Sequence, residues 1–398
     1  MPRAYYEFFC PVKILAGVAA LEHAPFELRR LGAARPMLVT DQGVRRAGLL
    51  APLERAFGEA DLAFAAVFDD VPADSSTRVV AACARRYRER GCDAIVAVGG
   101  GSVIDTSKGA NILVSEGGES LEPYAGAGAL TRPLKPFFVV PTTSGTGSEV
   151  TLAAVIADTE KQVKLPFTSH FLLPNVAVLD PRMTLTLPPL LTAATAMDAL
   201  THAVEAYTGM AKNAVSDAYA LAAVKKIADH LPAVMASPSD VVGRFELAQA
   251  ATLAGIAFSN SMTGLVHALG HAIGAACHLH HGACMGLLLP YVLEQNIAGS
   301  EACREAVGEL LLPLEGFDAY ARTAPSARAQ AAIGSLLRLR DRLHAACGLP
   351  RTLAETGKVD RAQLSALARQ ALDEGALAYN PVAIDHADAL AVLERAFG

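Results

Sequence analysis

Between Leu247 and Leu293 the chain carries no Asp, Glu, Lys or Arg, yet it holds five of its eleven histidines: His267, His271, His278, His280 and His281. Imidazoles in so apolar a setting each need a polar partner. An upstream segment supplies one, because Asp198 and His202 stand four residues apart and share a helix face. If Asp198, His202, His267 and His281 converge, one anionic oxygen and three neutral nitrogens make a ligand set for a divalent transition metal. A membrane span is the competing reading of a long uncharged run. The histidines, Ser259, Asn260, Ser261, Pro290 and several glycines break every lipid-compatible stretch of about 20 residues, so helices buried in protein are expected instead.

The histidines differ in what their spacing allows. His267 and His271 form an i, i+4 pair, so one or both can face a single point. In His278-Leu279-His280-His281-Gly282 helical character ends before the glycine, and one or two rings can point inward. His23, His170, His230, His344 and His386 sit mostly on surface-type segments. The seven cysteines are scattered and form no C-x-x-C pair, which suits reduced thiols; Cys277 and Cys284 read as small core residues and not as soft ligands.

A second chemistry lies upstream. Gly99-Gly100-Gly101-Ser102 follows a buried strand and opens a helix, where backbone N–H groups and the positive helix end can hold a pyrophosphate. Alone, such a run is also what a tight turn requires. A second loop, Pro141 to Glu149 (PTTSGTGSE), again follows a strand and offers hydroxyls and amides, which strengthens the dinucleotide reading. Asp41 ends the first clear strand, where a carboxylate can accept from a ribose 2′-OH and repel a 2′-phosphate. The plainer reading of Asp41 is an acid that starts a turn.

These residues need two kinds of scaffold. To about Asp180, apolar runs alternate with amphipathic helices: strands at Pro36–Asp41, Ala63–Phe68, Ala94–Val98 and Phe137–Val140, helices over Val44–Ala60, Ser75–Arg90 and from the glycine run to about Val114. That alternation predicts a mostly parallel, doubly wound α/β sheet, with ligands outside the carboxyl ends of its strands. After Leu187-Pro188-Pro189 only helical periodicity remains, in Leu191–Thr208, Ala214–His230, Phe245–Phe258, Gly264–Cys277, Ala331–Cys347 and Arg361–Ala371. The expected domains are 1–187, α/β and dinucleotide-binding, and 188–398, all-helical, metal-binding and catalytic, with the active site in a cleft between them.

At 398 residues, 19% charged and 52% hydrophobic, the chain has length for two full cores. A net charge of −6 without a basic block disfavours nucleic acid or a membrane surface as partner. The N-terminus lacks a signal-peptide pattern, so a cytoplasmic enzyme acting on a small molecule is expected. Arg3 to Gly17 could pair as an exposed strand between subunits.

Several of these segments together resemble the iron-containing, or group III, alcohol dehydrogenase family: Gly99–Gly109 (GGGSVIDTSKG), Pro141–Glu149, Ala196–Tyr207 (AMDALTHAVEAY), Gly264–His271 (GLVHALGH), His281-Gly282 and Asn380-Pro381. The resemblance spans nearly the whole chain, in the family's order. It implies a dehydroquinate-synthase-like architecture and NAD-dependent interconversion of a small primary alcohol and its aldehyde. It puts the metal on Asp198, His202, His267 and His281, with iron(II) usual and zinc(II) able to replace it. It makes Asp198, His267 and the non-ligand His271 the catalytic residues. NAD contacts fall on Asp41, Gly99, Gly100, Gly101, Ser102, Thr142, Thr143, Gly145, Thr146, Val155, Lys164 and Leu187. Ala153, Phe258, Met262 and Ala376 fall at the substrate pocket, and a homodimer or larger assembly is the family's habit. Val382 and Tyr379 depart from the residues usual beside the Asn-Pro pair. Other readings are a metal- and NAD-dependent cyclase of the dehydroquinate-synthase type, a maleylacetate-type reductase, a metal-dependent hydrolase and a non-catalytic nucleotide-binding protein.

Overall fold

A computed structural model describes residues 5–161 and 163–398, so Arg3 and Ala4 at the start of the proposed pairing strand lie outside the described residues. The chain divides into two compact units. One is Cys10–Thr186; the other takes in Leu187–Gly398 together with the residues up to Phe9. Phe9 N–H donates to Asn260 Oδ1 at 2.7 Å and the Phe8 ring stacks on Tyr219, 5.7 Å between centroids, which ties that leading segment to the helices.

The Cys10–Thr186 unit is built on a parallel sheet of six described strands: β1 (Lys13–Ala16), β2 (Pro36–Val39), β3 (Ala66–Phe68), β4 (Ala94–Gly99), β6 (Phe137–Pro141) and β9 (Val176–Leu179), in the order β1-β9-β6-β4-β2-β3. The middle strands are buried along their whole length, which explains their unbroken apolar sequences. Met37, Val39, Ile95, Ala97, Phe137 and Val139 fill one apolar layer; Leu38, Ala94, Val96, Val98, Phe138 and Val140 fill the other. Alternate residues of each strand thus feed opposite faces, as the pleat demands. Helices α1 (Ala24–Arg30), α2 (Gln42–Arg46), α3 (Leu50–Glu59), α4 (Thr77–Glu89) and α5 (Gly101–Glu116) belong to this unit. In α4 the buried Val80, Cys83, Ala84 and Tyr87 recur at i, i+3, i+4 and i+7.

Two features depart from the expected pattern. The helix expected over Val44–Ala60 is broken into α2 and α3, with Gly48 between them at φ 72°. An antiparallel pair, β7 (Ala153–Asp158) and β8 (Val163–Thr168), joins β5 (Gly126–Ala127) in a separate small sheet.

The second unit is helical. Its axis is α6 (Pro189–Thr208), whose residues from Thr192 to Thr208 are all buried. So enclosed a helix needs neighbours on every side, and α7 (Ala214–Ala236), α8 (Val241–Ser261) and α10 (His281–Gly299) pack against it, with α9 (Leu265–Cys277) against α10. Alanines at 193, 194, 196, 199, 203 and 206 let those neighbours come close. Further helices run from Glu301 to Phe397. By length and composition α8 could cross a membrane, but 61% of its apolar window is buried inside the protein, which identifies a core helix.

Candidate metal centre and dinucleotide loops

Because α6 is enclosed, Asp198 and His202 on adjacent turns of it are withdrawn from water, at 2% and 5% exposure. Three imidazole nitrogens surround one oxygen. Asp198 Oδ1 lies 3.8 Å from His202 Nε2, 3.9 Å from His267 Nε2 on α9 and 3.4 Å from His281 Nε2 at the start of α10. Metal–ligand bonds of about 2.0–2.2 Å place the corners of a tetrahedral shell roughly 3.4 Å apart, and each of the three nitrogens lies at or a little beyond that spacing from the Asp198 oxygen. Asp198, His267 and His281 have ligand atoms mutually within 4.8 Å; His202 stands outside that tight group, its ring stacked on His267 with 4.5 Å between centroids.

The donor set also fits a cation by what it leaves unsatisfied. Asp198 Oδ1 and His267 Nε2 are buried without a hydrogen-bond partner, an arrangement that costs on the order of 1–3 kcal/mol per neutral group and more for a charge. Burial holds His267 well below its ordinary pKa, and lowers His202 to about 3. Burial opposes ionisation of Asp198, but the facing His202, His281 and His267 hold its carboxyl well below the usual carboxylate range. A carboxylate at Asp198 and neutral imidazoles at His202 and His267 are the protonation states that metal binding requires of them.

Two carboxylates absent from the expected site flank these rings. Glu205, also on α6, places Oε2 2.5 Å from His267 Nδ1, while its Oε1 accepts from the Val266 N–H at 2.7 Å. Asn380 Oδ1 accepts from the Leu265 N–H and pairs amide to amide with Asn296. A cavity of about 10 Å³ beside Glu205, Asn296 and Asn380 has room for one water at most, and burial pushes Glu205 up to about 7. The second carboxylate is Glu374, whose Oε2 lies 3.1 Å from His271 Nδ1; both side chains are partly exposed. The His271 ring stacks on His281, 5.3 Å between centroids, and does not reach Asp198 among the described ion pairs.

Of the expected pocket residues, Phe258 stacks on the His202 ring at 4.1 Å. Met262 ends α8 at φ 65° and ψ 178°, a backbone shape costly for a side-chain-bearing residue. Ala376 lies in the short turn Gly375–Tyr379, and Ala153 opens β7 in the sheet unit. Val382 packs where a Cβ on Gly299 would fall, 2.7 Å away.

In the sheet unit, β2, β4 and β6 are neighbours, and the loops carrying Asp41, Gly99–Ser102 and Thr142–Thr146 all follow their carboxyl ends. The two loops touch: Thr142 N–H donates to Gly99 O at 3.1 Å, and a Cβ on Gly101 would stand 3.0 Å from Thr146 Cγ2. No side chain caps α5. The Ser102 hydroxyl donates to Ala73 O, and Asp41 Oδ1 accepts from Val44 N–H at 2.9 Å as the N-cap of α2. Val155 N–H donates to Oδ2 of the half-buried Asp105, Lys164 is exposed on β8, and Leu187 O accepts from Arg244.

A family model for iron-containing alcohol dehydrogenase matches residues 11–181, and one for the C-terminal part of the Fe-containing alcohol dehydrogenase family matches residues 192–397. The chain belongs to the iron-containing alcohol dehydrogenase family. Among relatives in that family, it is 36% identical to a 1,3-propanediol dehydrogenase of Klebsiella pneumoniae, with all of both chains covered. It is 33% identical to an NAD-dependent methanol dehydrogenase of Bacillus methanolicus, over 94% of this chain and 95% of that one. A solved 1,3-propanediol oxidoreductase superposes with a TM-score of 0.93 at 34% identity, covering 99% of this chain and 100% of the other. The α/β sheet followed by helices is therefore the architecture of iron-containing alcohol dehydrogenases.

Proposed function

We propose that this protein is a metal-dependent oxidoreductase that transfers a hydride between NAD(H) and a small primary alcohol or its aldehyde. The observation carrying the reading is Asp198 Oδ1, a buried carboxylate oxygen without a hydrogen-bond partner and faced by three imidazole nitrogens. The NAD-dependent methanol dehydrogenase among its relatives supports NAD as cofactor, and that enzyme and the 1,3-propanediol dehydrogenase support a short alcohol. Residues 1–187 would bind the dinucleotide and 188–398 the metal.

Asp198, His202, His267 and His281 would hold the ion, iron(II) in keeping with the family and zinc(II) as the alternative, since oxygen and nitrogen donors accept both. When bound, the ion supplies Lewis acidity toward the alcohol or carbonyl oxygen, and the nicotinamide carries the hydride. The chain's own groups bind, orient and move protons. Amides of Gly99–Ser102 at the uncapped end of α5 would hold the pyrophosphate, with Thr142, Thr143, Gly145 and Thr146 beside them and Val155, Lys164 and Leu187 completing the cofactor contacts. Phe258, Met262, Ala153 and Ala376, all small or apolar, suit a short carbon chain. His271 exchanges a proton at its Nδ1 with Glu374, and the partial exposure of the pair gives that proton a way to water. A cytoplasmic homodimer or larger assembly, using the exposed edge strand β1, belongs to the same proposal; a monomer mass by light scattering at working concentration would remove that part.

The test is oxidation of NADH on adding a series of short aldehydes to the purified protein. Activity should drop at least about tenfold on chelation and return with iron(II) or zinc(II), because loss of several kcal/mol of Lewis-acid stabilisation is worth more than a decade in rate. Undiminished turnover after complete metal removal would refute the metal-dependent reading.

Cofactor choice gives a separate expectation. Since Asp41 caps α2, replacement by glycine would disturb the helix as well as the charge; Asp41→Ser keeps a capping oxygen and removes only the charge. The NADP to NAD ratio of kcat/KM should rise by about tenfold, the equivalent of roughly 1.4 kcal/mol of relieved repulsion. An unchanged ratio would take Asp41 out of the cofactor set.

A further inference from the structure

The three imidazoles around Asp198 are not equivalent. Among the described ion pairs and hydrogen bonds of these three, only His267 has its other ring nitrogen on a carboxylate, Glu205 Oε2 at 2.5 Å; His202 Nδ1 is buried with no partner. Glu205 stands at the third step of an i, i+4, i+7 stripe on α6 that begins with Asp198 and His202. It is 5% exposed, so it cannot turn to water.

We infer that Glu205 is a positioning residue of the metal centre: its Oε2 takes the proton of His267 Nδ1 in a hydrogen bond, which leaves Nε2 as a lone pair aimed at the ion, while its Oε1 fixes the helix turn that carries the ring. The inference rests on the metal-site reading above. The two oxygens have different tasks. An Nδ1–H donated to a carboxylate selects one tautomer and raises the basicity of the opposite nitrogen. The other oxygen accepts from Val266 N–H at 2.7 Å, one residue before His267. Helix α9 has Gly264 as its N-cap, a residue with no side chain to cap it, so its first N–H groups are met from elsewhere, Leu265 by Asn380 Oδ1 and Val266 by Glu205. Ring orientation and ring tautomer are thus set by one side chain, tied to the same helix that supplies Asp198 and His202.

Glutamine at this position separates the two tasks. With its amide oxygen toward Val266, its NH2 group meets His267 Nδ1, and two donors cannot face each other; the ring must accept there and carry its proton on Nε2, the nitrogen that should bind the ion. The experiment loads the full chain with zinc(II) and titrates a chromophoric chelator against wild type and Glu205→Gln. The variant should hold zinc roughly 10–100-fold more weakly, the usual effect of losing an outer hydrogen-bond partner of a ligand. In 15N spectra of histidine-labelled protein after chelation, the resonances lost in His267→Ala should report an Nδ1–H ring in wild type and an Nε2–H ring in Glu205→Gln. Asn380→Ala, which removes a cap of the same helix without touching the ring, should lower thermal stability and leave that tautomer unchanged. Wild type that takes up no zinc overturns the metal site and this assignment together. Wild type that binds zinc beside a Glu205→Gln variant that binds it as tightly, or keeps the Nδ1–H ring, overturns the Glu205 assignment alone.

Discussion

Asp198→Asn is expected to leave the protein folded and empty of metal, with turnover lower by about three orders of magnitude. The substitution keeps the volume of a side chain enclosed by α6 and its neighbours, so no cavity opens. What it removes is the one anion among four donors. The carboxylate is the point on which His202, His267 and His281 converge, at 3.8, 3.9 and 3.4 Å, and an amide there offers at best a neutral oxygen. Losing about 4 kcal/mol of Lewis-acid stabilisation corresponds to roughly a thousandfold in rate. Metal content by mass spectrometry after dialysis, with NADH turnover on the same sample, measures both effects. One equivalent of tightly held metal in Asp198→Asn would mean that the ion sits elsewhere. His202 and His267, both neutral through burial, would then need another explanation for facing a lone buried oxygen.

How much of this centre could be read in the sequence depends on distance along the chain. Asp198 and His202 are legible because a helix period places them together, and Glu205 lay on the same stripe at i+7. The motif containing it was visible, but an acid seven residues from another acid has no obvious partner until α9 is folded against it. His267 and His271 share a face, yet spacing could not say which ring turns to Asp198 and which to Glu374, 103 residues away. Among the clustered histidines only tertiary packing decides. His278 takes a left-handed backbone at φ 52° and ends α9, His280 stands just before α10, and His281 opens it. Gly282 was expected to follow a helix end; instead it lies in the first turn of α10, because the new helix starts one residue earlier. In the sheet unit, the buried runs of β2, β4 and β6 were legible because strands covered on both faces need unbroken apolar sequence. The β7–β8 pair was not, since β8 is largely exposed and β7 alternates between buried and more open positions; β1 falls within the exposed strand expected over Arg3 to Gly17, and it pairs with β9 of the same chain.

That glycine leads to the other large effect. A Cβ at position 282 would stand 2.2 Å from Ala194 O and 2.7 Å from Ala194 C, both backbone atoms inside the rigid α6, and 3.4 Å from Asp198 Cβ. No rotamer change relieves a clash with a helix backbone, so in Gly282→Ala the start of α10 must withdraw from α6. His281 is the adjacent residue, and its Nε2 would withdraw with it from Asp198 Oδ1. Overpacking of this kind costs about 1–3 kcal/mol of stability; displacement of one of the four proposed ligands should in addition weaken metal binding by about tenfold or more. The control is Gly270→Ala, on α9 between His267 and His271. There the added methyl would come even closer to a heavy atom, 2.0 Å, but that atom is Met285 Cε, the free end of a flexible side chain that can swing aside. The shorter calculated approach should therefore give the smaller loss in thermal midpoint and in metal affinity. If Gly270→Ala proves the more damaging of the two, or if Gly282→Ala binds metal as wild type does, then the close seating of α10 on α6 is not what sets His281.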